Sequence, residues 1–441
     1  MDDMSAPFNA ALHQAHRQRL FEALGTDAAL IFGATHHLRN GDSEYRYRPD
    51  SDVLYLTGWE EPEVAILLRP GADHPFVMFV LPRDPKKEVW AGRRAGVEGA
   101  IERFGADAAF PINDLLSQLP GLLQGHQTLH YRFADNAEHD TLVAAAIRSA
   151  RRTAKNNGLD VPDAFIDPAR VLHELRLFKS DGELALMRQA AAITDEGFRA
   201  AMSATTPGAH EYELEAILEG TFRRRGGQGP GYSTIVGGGD NATILHYNTN
   251  RDALTDGTLV CVDAGCEYGW YTADVTRTWP VSGHFTGPQR DLYSVVLAAQ
   301  LAAIDAARPG ATFLDIHDVA TRVLTQGMVD LGLLEGDIDD LIESSAQKRY
   351  YMHGTGHWLG LDVHDVGSYV SGGKSRILAP GMVLTVEPGL YIPTDDEDAP
   401  EHFRGVGIRI EDDVLVTDGD PEVLTGMIPK SIEDVEAAVN G

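Results

Sequence analysis

Cysteine is nearly absent: Cys261 and Cys266 are the only two in 441 residues, too few for a disulfide framework or a Cys-based zinc site. Both sit in strand-like sequence and read as small core residues. Basic residues are scarce as well, 37 Lys and Arg against 66 Asp and Glu, which leaves a formal net charge of -29. An exterior of that sign repels phosphate backbones and anionic bilayers, so no nucleic acid and no membrane is expected as a partner. No apolar run approaches eighteen residues, and the first thirty open acidic, with neither a basic n-region nor a continuous apolar stretch. The expectation is a soluble cytoplasmic protein. What the chain does have is a 43% hydrophobic fraction, enough length for two domains, and a dense supply of carboxylates with which to hold cations.

Residues 1–178 alternate helix-like stretches such as LHQAHRQRLFEAL with strand-like ones such as HPFVMFVLP, the pattern of a mixed α/β domain. A boundary is expected within RLFKS. There Ser180 and Glu183 form a capping box, and Leu184, Leu186, Met187 and Ala190 recur at helical spacing. Residues 179–441 then echo themselves, as a duplicated half-domain would. PGAHEYELEAI at Pro207 is answered by PGATFLDIHDVA at Pro309, each opening an amphipathic helix. DGTLVCVDAG (256–265) is answered by PGMVLTVEPG (380–389), which aligns Asp263 with Glu387. A looser pair sets Asp274 in TADVTRT beside Glu411 in RIEDDVLVT. The reading is an α/β (α+β) protein whose second domain has two related halves, helices outside and strands inside, each offering two carboxylates to a shared floor.

The stretch MHGTGHWLGLDVHD, residues 352–365, carries His353, His357 and His364. Two histidines four apart resemble the ends of a zinc-binding helix, but Gly354 and Gly356 make a helix there unfavourable. Loop and strand backbone is expected, and any metal needs ligands from elsewhere. They are at hand. A two-residue turn centred on Tyr268 and Gly269 puts Asp263 directly opposite Asp274, with Cβ atoms about 4.5 to 5.5 Å apart. Such a pair requires a cation or a shared proton between the carboxylates. The alternative is a register slipped by one, which turns the two aspartates to opposite faces. Arg409 shares a strand face with Glu411, either as its ion-pair partner or as a group holding it toward a metal. Four carboxylates and one histidine suit a pair of Mn, Fe, Co or Zn ions. Such a pair makes a strong nucleophile from water at neutral pH. The acidic exterior disfavours phosphate-rich substrates and favours amide hydrolysis.

HYNTN, VDAGCEYGWYTADVTRTWPVSGHFT, MHGTGHWLGLDVHDVG, VLTVEPGLYIP and GVGIRIEDDVLVT resemble the successive motifs of bacterial aminopeptidase P, the Xaa-Pro aminopeptidase of the pita-bread metallopeptidases. DSEYRYRPDSDVLYLTGWEEPEVAILL and EVWAGRRAG resemble its amino-terminal domain, so the likeness covers essentially the whole chain. It implies an amino-terminal aminopeptidase P domain over 1–178 and a pita-bread catalytic domain over 179–441. It implies two divalent metal ions, Mn2+ foremost and Zn2+, Co2+ or Fe2+ as alternatives, held by Asp263, Asp274, His357, Glu387 and Glu411, with Asp274 and Glu411 bridging. It further implies that His246, His353 and His364 line the substrate site, His353 and His364 contacting the proline side and the scissile carbonyl. Arg409 would support Glu411. The expected substrates are peptides with proline at the second position, cleaved before that proline by a metal-bridging hydroxide while Glu387 relays protons. A homo-oligomer, dimer or tetramer, is expected, with Trp90 either reaching a neighbouring subunit's site or serving as ordinary packing surface.

Prolidase is the nearest alternative, sharing fold and ligands but acting on Xaa-Pro dipeptides. A methionine aminopeptidase lacks the large amino-terminal domain. A pita-bread protein without catalysis, acting as a binding module, and a metal-free C-N hydrolase of the creatinase kind are disfavoured because all five ligand positions are filled.

Overall fold

The computed structural model describes residues 8–441, which divide into two compact units between Arg176 and Leu177. In the first, a six-stranded mixed sheet runs in the order Ala108–Pro111, Phe76–Val80, Ala65–Leu68, Ala28–Phe32, Thr128–His130 and Ala164–Ile166. Its central strands, AALIF, AILL and FVMFV, are nearly continuous apolar runs, as strands covered on both faces must be. Helices Leu115–Leu122 and Ala137–Asn157 give their apolar stripes to that core, Leu119, Val143 and Ile147 packing with Leu30, Leu67 and Phe79.

The second unit opens with helix Asp181–Ala204, whose capping box of Ser180 and Glu183 is present. Its organisation repeats. Helix Glu211–Arg224 follows the Pro207 motif, and helix Phe313–Asp330 follows the Pro309 motif behind a Thr312 cap. In the first half a three-stranded antiparallel sheet joins Ile235–Gly238, Leu259–Asp263 and Thr276–Pro280. In the second, Val383–Val386, Asp412–Leu415 and Glu422–Val423 form its counterpart. Strands Gly389–Ile392 and Val406–Arg409 extend the same hairpin. Phe198, Leu218 and Phe222 of the first helix pair bury against Val236, Val260 and Val262. Ile316 and Ala320 of helix Phe313–Asp330 bury against Leu384, Val386 and Val414. Cys261 and Cys266 are free and buried.

Candidate metal centre

The first hairpin does not turn where the sequence placed it. Tyr268 pairs with Tyr271 and Asp263 with Thr276, so the turn is Gly269-Trp270, both with left-handed φ, 56° and 69°, as a two-residue turn of type I′ requires. Asp274 is thus the diagonal neighbour of Asp263, two residues off the opposed position. A shift of two preserves the facing that a shift of one reverses. Both carboxylates therefore reach one cleft. The second hairpin pairs Val386 with Asp412 and Gly389 with Arg409, a register that sets Glu387 opposite Glu411. Since Asp263 corresponds to Glu387, Glu411 corresponds to Thr276 and Asp274 to Arg409. The looser pairing of Asp274 with Glu411 is corrected accordingly.

His357 arrives on extended backbone laid antiparallel to strand Val383–Val386. Leu359 N–H donates to Val383, Thr385 N–H to His357 and Glu387 N–H to Thr355. Gly356 permits this contact, because a Cβ there would lie 1.9 Å from the Thr385 carbonyl oxygen. The imidazole Nδ1 lies 3.0 Å from the Trp358 carbonyl oxygen; an N–H on that nitrogen leaves Nε2 as the free ligand atom. Nε2 lies 3.3 Å from Asp274 Oδ2 and 3.7 Å from Glu387 Oε1.

Asp263, Asp274, His357, Glu387 and Glu411 line one cleft of about 310 Å³, together with His246, His364, Tyr232 and Asn248. One ligand atom from each of Asp274, His357 and Glu411 falls within 4.8 Å of the others. Burial, reinforced by neighbouring carboxylates, pushes the carboxyls of Asp263 and Glu411 upward and that of Glu387 to about 7. Burial alone would lower the His357 pKa; its hydrogen bond to Asp274 and that group's charge raise it to about 9. Carboxylates gathered this closely either hold protons or hold a cation, and this oxygen-rich donor set with a single imidazole fits a divalent ion.

One residue departs from expectation. Arg409 reaches Asp263, not Glu411: Nη2 lies 2.6 Å from Asp263 Oδ2, and Nε donates to Thr276 Oγ1 at 3.0 Å. Thr276 in turn donates to Glu411 Oε2 at 2.6 Å, so that hydroxyl links the guanidinium to Glu411, and the two groups also attract each other through their charges. A long side chain crosses to the facing strand more readily than it folds back on its own. His353 stands beside the cleft, its Nδ1 3.9 Å from Glu387 Oε2. Its Nδ1 lies 2.7 Å from the Gly354 carbonyl and its Nε2 2.8 Å from Tyr391 Oη. Tyr391 Oη accepts from Arg409 at 3.2 Å, so both nitrogens of His353 are occupied within the protein. Burial, with help from the Arg409 charge, lowers its pKa to about 4 and keeps it neutral. His246 and His364 stand exposed in the cleft, the ring of His364 centred 4.3 Å from that of His357.

Sequence reading passed over three contributors. Tyr232 donates to Asp263 Oδ1 at 2.6 Å, Tyr391 links His353 to Arg409, and buried Asp413 accepts the Asp274 amide N–H at 3.2 Å. Strand alternation from Glu411 pointed to Asp413, whereas Tyr232 and Tyr391 lie in no pattern that marks them.

The sheet floor and its carboxylates define a metallopeptidase: residues 185–418 match the model of metallopeptidase family M24, residues 13–131 match that of the aminopeptidase P N-terminal domain, and the chain belongs to that family. Within it, its relatives include Xaa-Pro aminopeptidases. The chain is 44% identical to the Xaa-Pro aminopeptidase of Escherichia coli K12 over 427 residues, 96% of each protein. Its structure is similar to that of Pseudomonas aeruginosa aminopeptidase PepP, with a TM-score of 0.95, 44% identity, and 99% and 98% of the two chains covered. It is also similar to zinc-substituted E. coli aminopeptidase P in complex with product, with a TM-score of 0.94, 43% identity, and 98% and 99% covered. Among the described residues no helix is long and apolar enough to cross a membrane.

Proposed function

We propose that this chain is a metal-dependent Xaa-Pro aminopeptidase that hydrolyses the bond between an amino-terminal residue and a following proline. The observation that carries the reading is the convergence of Asp263, Asp274, His357, Glu387 and Glu411 on one cleft rimmed by His246 and His364. In our reading these five hold two divalent ions, with Mn2+ as the working metal, since four carboxylates exceed what one ion with an open position requires. When bound, the metal supplies Lewis acidity and lowers the pKa of water.

The chain's own groups do the rest. His357 keeps Nε2 available because Nδ1 is taken by Trp358. Tyr232 and Arg409 hold Asp263 by both oxygens, so that carboxylate cannot swing. Glu387 takes the proton released as water attacks the carbonyl carbon of the first residue, then delivers it to the departing proline nitrogen. His246 and His364 donate toward the carbonyl oxygen as it gains charge. His353, its Nδ1 3.9 Å from Glu387 Oε2, contacts the proline side of the substrate. A homo-oligomer is also part of the reading; it is supported by Val89 and Trp90, 81% and 90% exposed on helix Pro85–Ala91. The two unpaired buried cysteines support a reducing, cytoplasmic setting.

The test is product analysis after the metal-stripped protein, reconstituted with Mn2+, meets Ala-Pro-Ala and Ala-Pro separately. Metal-dependent release of Ala from the tripeptide is expected. Cleavage of the dipeptide alone would make the protein a prolidase, and cleavage of neither would leave a binding module.

A further inference from the structure

The loop after His357 is closed by an ion pair, Asp365 with Lys179, that the proposed chemistry does not use. Lys179 Nζ lies 3.0 Å from Asp365 Oδ2, and each side chain is 1% exposed. Removing an ammonium and a carboxylate from water is offset by their attraction only in good geometry, and apolar residues often serve stability as well. The pair's surroundings show what it holds. The Asp365 amide N–H donates to the Trp358 carbonyl at 2.9 Å, the same oxygen that lies 3.0 Å from His357 Nδ1. Gly360 makes room for this closure, since a Cβ there would lie 2.1 Å from Asp365 Oδ2 and 2.9 Å from Lys179 Cε. The Lys179 amide N–H donates to Gly381 at 2.8 Å, and Phe178 bridges Met382. The ammonium is thus delivered from a segment tied to the start of the strand against which His357 lies. The Trp358 ring is stacked on Tyr369, whose hydroxyl accepts the Trp358 N–H at 3.1 Å.

We propose that Lys179 and Asp365 are positioning residues for His357: their buried pair clamps residues 358–365 so that the Trp358 carbonyl faces Nδ1 and Nε2 is left aimed at Asp274 and Glu387. The inference rests on the metal-centre reading above and adds to it the device that aims its single imidazole. His364 rides on the same clamped loop, so the device also sets the side of the cleft where that ring stands.

The test measures Mn2+ affinity, by titration followed through the signal of the free ion, for the full chain and for Asp365→Asn, Lys179→Met and the double variant Lys179→Met/Asp365→Leu. Thermal unfolding is recorded for each. Groups that orient a metal ligand typically cost about 10- to 100-fold in affinity when removed, and a loss of that size is expected in both single variants. The double variant removes both charges, so its melting temperature is expected to recover toward wild type while its Mn2+ affinity stays low. Affinity within about twofold of wild type in a folded single variant would overturn the proposal. So would affinity that recovers in step with stability in the double variant, because the pair would then be packing alone. If the wild-type chain takes up no Mn2+, the metal-centre reading fails and the inference falls with it; uptake by wild type and variants alike sinks the inference only.

Discussion

Glu411, Asp412 and Asp413 are consecutive carboxylates with three different fates. Glu411 faces the cleft and takes the Thr276 hydroxyl. Asp412 points to the other side of the strand, fully buried between Arg277 and Lys430 at 2.7 Å each. Burial alone would raise its carboxyl, but those two charges hold it down at about 2. Asp413 returns to the first face and accepts the Asp274 amide. Substitution should separate these roles. Asp274→Asn and His357→Ala are each expected to lose about 100-fold or more in metal affinity, beyond what a supporting residue costs, and to lose activity in parallel. Asp412→Asn should leave metal affinity within a few-fold while lowering stability by about 3 kcal/mol, the cost of stranding a buried charge. Metal analysis after gel filtration and denaturant unfolding check both. Metal retained in full by the Asp274 variant would refute its assignment as a ligand. At this scale the sequence was informative about facing, because alternation separates Glu411 and Asp413 from Asp412. It was poor on partners: nothing in the string says that Arg409 crosses to Asp263, since strand adjacency is a property of the fold.

At the scale of elements, one turn illustrates both the reach and the limit of sequence reading. Glycine at the first central position of a two-residue hairpin is the mark of a primed turn, and in Tyr-Gly-Trp-Tyr it points to Gly269-Trp270. Centring the turn one residue earlier moved the register by two, which misplaced Asp274 along the strand but kept it on the correct face. The cleft survived the error because side-chain facing has period two. The glycines of residues 352–365 were legible as helix breakers, but their individual necessity was not. Gly356 meets the Thr385 carbonyl, whereas a Cβ on Gly354 would find nothing nearer than the Gly356 carbonyl oxygen at 4.0 Å. Gly356→Ala is therefore expected to push His357 off strand Val383–Val386, costing about 1 to 3 kcal/mol of stability and at least tenfold in metal affinity. Gly354→Ala should change neither by more than about 0.5 kcal/mol or twofold. Equal effects at the two positions would refute the account of how His357 is seated.

For the whole molecule, the repeated helix and strand motifs made the two-half organisation of the second unit legible, and the charge imbalance marked carboxylates as its currency. The same concentration of carboxylates makes stability depend on whether metal is bound. In the metal-free protein burial raises the Glu387 pKa from 4.5 to about 7, and Asp274 raises that of His357 from 6.5 to about 9 against the opposing effect of burial. Both folded-state values lie above their unfolded values, so the folded chain holds protons the unfolded chain has released. The resulting stability is complete below the unfolded pKa of each group and is lost as pH rises through the folded one. His353, with its pKa lowered to about 4, acts in the opposite sense, but only below its unfolded value of 6.5. Between pH 6.5 and 8.5 the metal-free protein should therefore lose stability with rising pH, by about 1.4 kcal/mol per pH unit for each proton retained. Metal reverses the sign. Its ligands must be deprotonated, so affinity grows with pH, and a ligand bound only by the folded state stabilises it in proportion to the logarithm of that affinity. Unfolding curves in chelator and in excess Mn2+ should thus diverge across this window, one falling as the other rises. A metal-free curve that stayed flat or rose would mean that Glu387 and His357 do not retain the protons that burial and Asp274 assign to them, and with it the electrostatic reason for placing cations in the cleft would be lost.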